Sequence, residues 1–450
     1  MLPGATLVEN HQADAPAPYS PRRAWYMIFV LTLCFTLAYV DRHVLSLLVN
    51  PIKVSLALSD TEIGLLQGVA FSIFFVAATL PLARLSDSRS RPLLIGWCVA
   101  AWSLMTMLCG AAGSFWHMML ARIGVAVGEA GLPPASLTLM ADTFDKKRLA
   151  IATSVFMLGP FLGGGLAFIA GGALYDASAR WLLPSLPGIG QLERWQMIFT
   201  VVGLCGLLPA LVVGLTLREP RAGRATPRDQ VSARRVAKFM LAQWHFCGPY
   251  IVSVGFIVLL LNAHISWLPA AMIRSHGVDE ARMGLLFGPI YLLAGAGGTL
   301  AAGWYVSRAG IDMLGRTLQS MRLGTALLLL PAIFAPLVGN FFLGMSLIAL
   351  SVFFTSAIVS MSTLPLQFSV PLAVRGQSIA VMGLLTTLMG TGLGPILTGV
   401  LSDHLIGRVE QPLSAALAAL AALVIPVIAI LQWLAIRQHR RLRLDLQQAF

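Results

Sequence analysis

The stretch Ala24 to Leu48, AWYMIFVLTLCFTLAYVDRHVLSLL, decides how the rest of the chain is read. A helix needs roughly 20 apolar residues to cross the ~30 Å hydrocarbon core of a bilayer, and this run is long enough. Yet Asp41 and Arg42 stand well inside it. Charge at membrane depth costs several kcal/mol, so such groups face a bundle interior or a wet cavity and seek partners. One span that must turn an acid and a base away from lipid predicts further spans around it.

The remaining sequence supplies them. With 57% hydrophobic and only 11% charged residues among 450, the chain is too apolar for an ordinary soluble core. Twelve runs of membrane-spanning length are predicted: 24–48, 62–83, 93–112, 116–140, 150–174, 195–217, 248–273, 281–306, 318–338, 341–369, 377–401 and 412–436. The expected fold is an all-α polytopic membrane protein. A net charge of +12 does not point to nucleic acid, because the basic residues are scattered through short loops rather than gathered on one face. Of the 31 Lys and Arg, 23 fall in the tails and in loops on the side of both termini, 6 in the opposite loops, and Arg42 and Arg122 within spans. The positive-inside rule then places both termini in the cytoplasm. Trp25, Trp116, Trp195, Trp244, Trp304 and Trp433 sit near span ends, as an interfacial aromatic belt requires.

The longest polar stretch divides the chain. The expected organisation is a cytoplasmic tail (1–23), a six-helix bundle (24–217), a cytoplasmic linker with amphipathic-helix character (218–247), a second six-helix bundle (248–436) and a cytoplasmic tail (437–450). Internal repetition agrees: Gly159-Pro160-Phe161-Leu162-Gly163-Gly164 in the fifth run recurs as Gly394-Pro395-Ile396-Leu397-Thr398-Gly399 in the eleventh. The loop Ala83 to Arg91 (ARLSDSRSR) has a counterpart in Gly303 to Gly310 (GWYVSRAG). The five cysteines lie mostly in apolar runs without metal-type spacing and read as small core residues. No metal site or cofactor is expected, and the absence of H-E-x-x-H, G-x-x-x-x-G-K-[ST] and G-x-S-x-G patterns gives no support to an enzyme or to ATP drive.

Four ionisable residues carry the chemistry. Arg122 and Glu129 are two helical turns apart and share a face, whereas the adjacent Asp41 and Arg42 point about 100° apart. Two acids and two bases form a neutral set that tolerates burial. Glu129, with Asp41 second, is the expected proton carrier. Arg42 is expected to grip an anionic substrate through its bidentate guanidinium, and Arg122 to hold the acids in register. Asn262 and His264 in the seventh run and Thr355 in the tenth are further candidates for substrate contact. Asp87, Arg91 and Arg308, in the two repeated loops, are candidates for a clasp that fixes one conformation.

Three segments, Tyr39-Val40-Asp41-Arg42, Gly64-Leu65-Leu66-Gln67 and Arg122 to Ala130 (RIGVAVGEA), resemble the Spinster branch of the major facilitator superfamily. The resemblance is strong from about Ala38 to Gly172 and general beyond. The loop motif departs from that superfamily's pattern at Ala83, Ser88 and Ser90, and its second copy at Ser307. The resemblance implies twelve helices in two six-helix halves around a midplane site. It also implies an amphiphilic, lysolipid-like anion as cargo, in a bacterial inner membrane. The expectation is therefore a monomeric secondary transporter, proton-coupled, working by alternating access among membrane lipids. An organic-anion:proton symporter for sugar acids or carboxylates is the alternative, and a non-transporting receptor or scaffold a remote one.

Overall fold

The computed structural model describes residues 20–180, 185–186, 190–220, 233–308 and 313–448. Among these, twelve helices are long and apolar enough to cross a membrane. The first six are Pro21–Leu47, Asp60–Ser88, Arg91–Gly110, Phe115–Thr143, Ile151–Ser178 and Arg194–Thr216. The second six are Trp244–His276, Glu280–Ser307, Met313–Phe334, Phe341–Ser369, Val374–Leu405 and Pro412–Gln438. A short helix, Ala233–Ala242, precedes the seventh span. A two-residue antiparallel ladder, Ser185–Leu186 with Gly190–Gln191, lies between the fifth and sixth.

Each predicted run contains one of these spans, with ends shifted by a few residues. The ninth ends at Phe334 rather than 338, and Asn340 caps the tenth by accepting a hydrogen bond from the Leu343 N–H at 3.1 Å. Large apolar side chains are exposed all round the outer surface, among them Phe29, Leu208, Leu293 and Phe342. That surface is suited to lipid and not to water. Trp25, Trp116, Trp244, Trp304 and Trp433 are exposed near span ends, but Trp195 is buried and donates to Glu193 Oε2 at 3.1 Å. It is a packing residue rather than part of the belt.

Several spans are broken where Gly and Pro interrupt the hydrogen-bond ladder. The fourth consists of Phe115–Glu129 and Leu132–Thr143, separated by Ala130-Gly131 and followed by Pro133-Pro134. The second breaks at Gly68, and the eleventh carries a π-helical turn over Thr387–Gly392. The breaks of the second and eleventh spans face each other. A Cβ on Gly68 would lie 3.1 Å from the Thr391 carbonyl oxygen, so only glycine allows this approach.

The two halves meet along the fifth and eighth spans and along the second and eleventh. A Cβ on Gly64 would lie 2.7 Å from the Pro395 carbonyl oxygen, and one on Gly172 would lie 2.8 Å from that of Ala281. Both close approaches lie toward the end of the bundle opposite the termini, called the far end below. Asp60, Ile63, Gly64, Leu66 and Gln67, at the far end of the second span, are buried. From Phe74 to Leu85, toward the terminus end, no residue of that span is buried. The halves are thus sealed at the far end and parted toward the termini. Gly64→Val forces a branched side chain against backbone in the seam. It should destabilise the protein by about 1–3 kcal/mol, read as a lowered Tm in detergent; an unchanged Tm would mean that the seam is not tightly packed.

Candidate functional site

Between the halves lies a cavity of about 300 Å³. The first half lines it with Tyr39, Arg42, His43, Phe71, Phe75 and Arg122, among others, and the second with Val258, Leu261, Asn262, Ile265, Tyr291 and Thr391. Of the four charges predicted from sequence, Arg42 and Arg122 line it, and Asp41 and Glu129 do not. Arg42 donates from Nε and Nη2 to Glu129 Oε2, at 2.7 and 2.5 Å. Glu129 is only 1% exposed, and it closes the helical segment that precedes the break in the fourth span. Its Oε1 has no hydrogen-bond partner among the described residues.

The Arg42 guanidinium also lies over aromatic faces, 4.1 Å from the Phe71 centroid, 4.8 Å from Tyr39 and 5.2 Å from Phe75. Stacking of this kind suits a delocalised cation in a partly desolvated site. Asp41 points to the neighbouring helix, where Thr106 Oγ1 donates to its Oδ2, and Asp41 Oδ1 is without a partner. Arg122 is buried at 2% exposure, and its Nε and Nη1 are likewise unpartnered. Unsatisfied donors on a buried cation are costly. They are tolerable where a ligand or water comes to them.

Both arginines line the cavity; Arg42 is engaged by Glu129, while the buried Nε and Nη1 of Arg122 make no hydrogen bond among the described residues. Asn262 also lines the cavity, its Nδ2 donating to the Val258 carbonyl at 2.8 Å. His264 and Thr355 do not. His264 Nδ1 lies 3.3 Å from Ser351 Oγ, and Thr355 donates to the Ser351 carbonyl at 2.7 Å, so both are buried between the seventh and tenth spans. Their hydroxyl and ring nitrogen serve helix packing, the ordinary role of such groups in a bundle.

The three clasp candidates stand at the terminus end, where the halves are parted. Arg91 is fully buried and donates to Asp142 Oδ2 at 2.6 Å, to Glu219 Oε2 at 3.2 Å from Nε, and again to Glu219 from Nη2. It joins the terminus-side ends of the third, fourth and sixth spans within one half. Asp87 is exposed and makes no hydrogen bond or ion pair among the described residues. Arg308 stacks on Trp304 at 3.8 Å. Both stand on the parted side of the bundle, where no opposing half is in reach.

A lock does cross the halves, at the far end, and sequence reading missed it. Asp60, 1% exposed, accepts from Lys53 Nζ at 2.6 Å, from Arg274 Nη1 and Nη2 at 2.9 and 3.0 Å, and from Ser402 Oγ at 2.7 Å. Asp403 reaches from the eleventh span to the first turn of the second. It accepts from the backbone N–H groups of Asp60 and Thr61 at 3.1 and 2.8 Å and from Thr61 Oγ1 at 2.5 Å. A carboxylate from one half thus caps a helix N-terminus of the other, where the dipole favours negative charge. His43 and Gln67 were missed as well. Both line the cavity, and His43 Nε2 and both amide atoms of Gln67 lack partners. Their signal was present: His43 follows the Asp-Arg pair and Gln67 ends the Gly-Leu-Leu-Gln segment.

Two six-helix halves around a central cavity, with two arginines at its wall, their acids close by and a lock at one end, define a membrane transporter rather than an enzyme. The chain belongs to the Major Facilitator Superfamily, whose family model matches residues 31–395. It is 29% identical to an MFS-type efflux pump of Mycolicibacterium smegmatis, across 98% of each chain. To the sphingosine-1-phosphate transporter SPNS2 of Danio rerio it is 23% identical, covering 84% of this chain and 75% of the relative. A crystal structure of a bacterial homologue of the human lysosomal transporter Spinster, inward-facing and unoccupied, superposes with a TM-score of 0.79 at 25% identity, over 93% of this chain and 98% of that one.

Two consequences are measurable. Glu129→Ala removes the charged partner of the part-buried Arg42 and should cost about 1.5–3 kcal/mol, seen as a drop in Tm, whereas Asp87→Ala should leave Tm within error. Arg274→Ala removes the bidentate cation from the lock. In a Cys205→Ser, Ser266→Cys background, a membrane-impermeant maleimide added at the far end should label the cavity cysteine faster than in the same background with Arg274 intact. Equal labelling rates would show that the contact does not hold the far end shut.

Proposed function

We propose that this transporter moves an amphiphilic organic anion of lysolipid build by alternating access, with a proton as the coupling ion, in a bacterial plasma membrane with both termini cytoplasmic. The observation that carries this reading is the pairing, in one cavity, of the unpartnered Arg122 guanidinium with an apolar and aromatic wall that includes Phe35, Phe71, Phe75, Val258, Leu261 and Ile265. A guanidinium offers a phosphate or carboxylate two parallel donors. The wall suits an alkyl chain, and the likeness to a transporter named for sphingosine-1-phosphate supports the same cargo class.

The proton has its place in the same set. Glu129 holds Arg42 while it is ionised. When it is protonated it no longer neutralises Arg42, and the guanidinium becomes available to the anion beside Arg122. Asp41, held by Thr106 on the neighbouring helix face, is the second carboxylate of the relay. Binding that favours one arrangement of the charges over the other shifts the balance between the inward and outward states by that difference in affinity.

Flux in proteoliposomes with an imposed pH gradient tests this. An anionic lysophospholipid should be carried and galactonate should not. Glu129→Gln should make the flux indifferent to the gradient. Arg122→Gln, which removes a charged hydrogen-bonding group of about 1.5–3 kcal/mol, should weaken lysolipid binding by roughly 10- to 150-fold. Transport of the sugar acid alone, or lysolipid flux untouched by both the gradient and Glu129→Gln, overturns the proposal.

A further inference from the structure

The wall of the central cavity changes character with depth. Both arginines lie near the Phe71 ring, Arg42 at 4.1 Å and Arg122 at 5.8 Å from its centroid, so Phe71 marks the level of the charges. Four residues nearer the far end, about one helical turn, stand Ser46 beyond Arg42, Gln67 beyond Phe71 and Ser266 beyond Asn262, all buried and all lining the cavity. Toward the terminus end the same three spans present Phe35, Phe75 and Val258. Thr387, on that side, donates its hydroxyl to the Gly383 carbonyl at 2.8 Å. The cavity is therefore polar at its far tip, cationic in the middle and apolar where it faces the parted side.

The polar tip holds hydrogen-bonding groups that nothing in the described structure engages. Gln67 is 7% exposed, and neither its Nε2 nor its Oε1 has a partner among the described residues. His43 is 8% exposed, and its Nε2 is in the same condition. Packing holds that ring in place, with the Phe168 and Tyr291 centroids 6.2 and 5.8 Å from its own. Buried polar groups left unpaired are costly, and a ligand that brings both a donor and an acceptor removes that cost.

Resting on the lysolipid reading of the cargo given above, we propose that the tip is a neutral subsite for hydroxyl groups of the headgroup, and that the carried anion is a lysolipid phosphodiester whose headgroup bears such hydroxyls. A hydroxyl both donates and accepts, so it answers the Gln67 amide nitrogen, the amide oxygen or the His43 nitrogen in either tautomer. An ammonium headgroup is less suited. Among the described residues that line the cavity none is acidic, and two guanidiniums stand about one turn away. The order of the wall then sets the pose of the cargo. Its phosphate meets the arginines, its headgroup points to the sealed far end, and its alkyl chain runs along Phe35, Phe75 and Val258 toward the parted side.

Equilibrium binding to the full-length protein in detergent tests this with short-chain lysolipids of one acyl length. The probes are lysophosphatidylglycerol, lysophosphatidylethanolamine and lysophosphatidylpropanol, which matches the first in charge and nearly in size but has no headgroup hydroxyl. Lysophosphatidylglycerol should bind about tenfold more tightly than the propanol ester, and more tightly than the ethanolamine lipid. Gln67→Leu should bring lysophosphatidylglycerol down to the level of the propanol ester and leave the propanol ester itself within about twofold. A residue that only packs would alter both alike. His43→Phe, which keeps a ring against Phe168 and Tyr291, should narrow the same gap. Either comparator binding as tightly as lysophosphatidylglycerol, a Gln67→Leu loss shared equally by both phosphodiesters, or a gap unchanged in both variants overturns the subsite and leaves the cargo class standing. Binding of none of the three overturns the cargo class and the subsite together.

Discussion

A guanidinium and a carboxylate bonded to each other in a bundle of apolar helices fix much of this protein's first half. While Glu129 is ionised its burial requires the Arg42 cation beside it, because an isolated ion out of water costs far more than any one packing contact returns. Their bond sets the first span against the fourth at the point where the fourth breaks. The stacking of Arg42 on Phe71 and Phe75 then draws in the second span. Asp41, turned about 100° from Arg42 by helical geometry, reaches Thr106 on the third. One Asp-Arg dipeptide thus orients the first span toward three neighbours.

The halves divide the work unequally. The first presents Arg42 and Arg122 to the cavity, while the second presents Val258, Leu261, Asn262, Ile265 and Thr391 to the same space. Its strongest ionic contribution lies elsewhere, in Arg274 and Asp403 at the far end, where each meets the start of the second span. Both halves supply apolar wall, Phe35, Phe71 and Phe75 from the first and Val258, Leu261 and Ile265 from the second, while the arginines come from the first alone. Closing the halves upon an amphiphilic cargo would bring both sets of contacts to bear together.

How much of this was legible in sequence depends on the range of the interaction. Spans were readable because crossing a bilayer is a local demand on length and composition, and Asp41, Arg42, Arg122 and Glu129 stood out because charge within such a run is locally anomalous. The far-end lock was not readable. Lys53 and Arg274 lie at span ends, where positive charge is ordinary, and only folding brings Arg274 across to Asp60, 214 residues away in the chain. The partners of Arg91 were hidden for the same reason: its carboxylates, Asp142 and Glu219, lie 51 and 128 residues away in the chain. His264 looked like a ligand because a histidine in a span is conspicuous. Which way it faces, toward Ser351 and not toward the cavity, is a property of packing that one helix's periodicity does not contain.

The two ionic sets differ in what a conformational change asks of them. Arg42 and Glu129 belong to the same half, so rigid rocking of one half against the other leaves their bond intact. The Asp60–Arg274 contact spans both halves, and Arg274 retains 28% side-chain exposure, so water is at hand to replace what separation removes. The lock is therefore the contact that yields, and the buried pair is the one that must bias it. The second span reaches both. It starts with Asp60 in the lock, packs Gly64 and Gly68 on the eleventh span, and ends its contact with the charges where Phe71 and Phe75 lie against Arg42. Its break at Gly68 sits between these two contacts, opposite the π-helical turn of the eleventh span. Arg42 stands on one side of that break, and the lock stands on the other. Two helices that are both irregular at their crossing can change their mutual angle without breaking a regular hydrogen-bond ladder, which makes this crossing the natural hinge between cargo site and far-end lock.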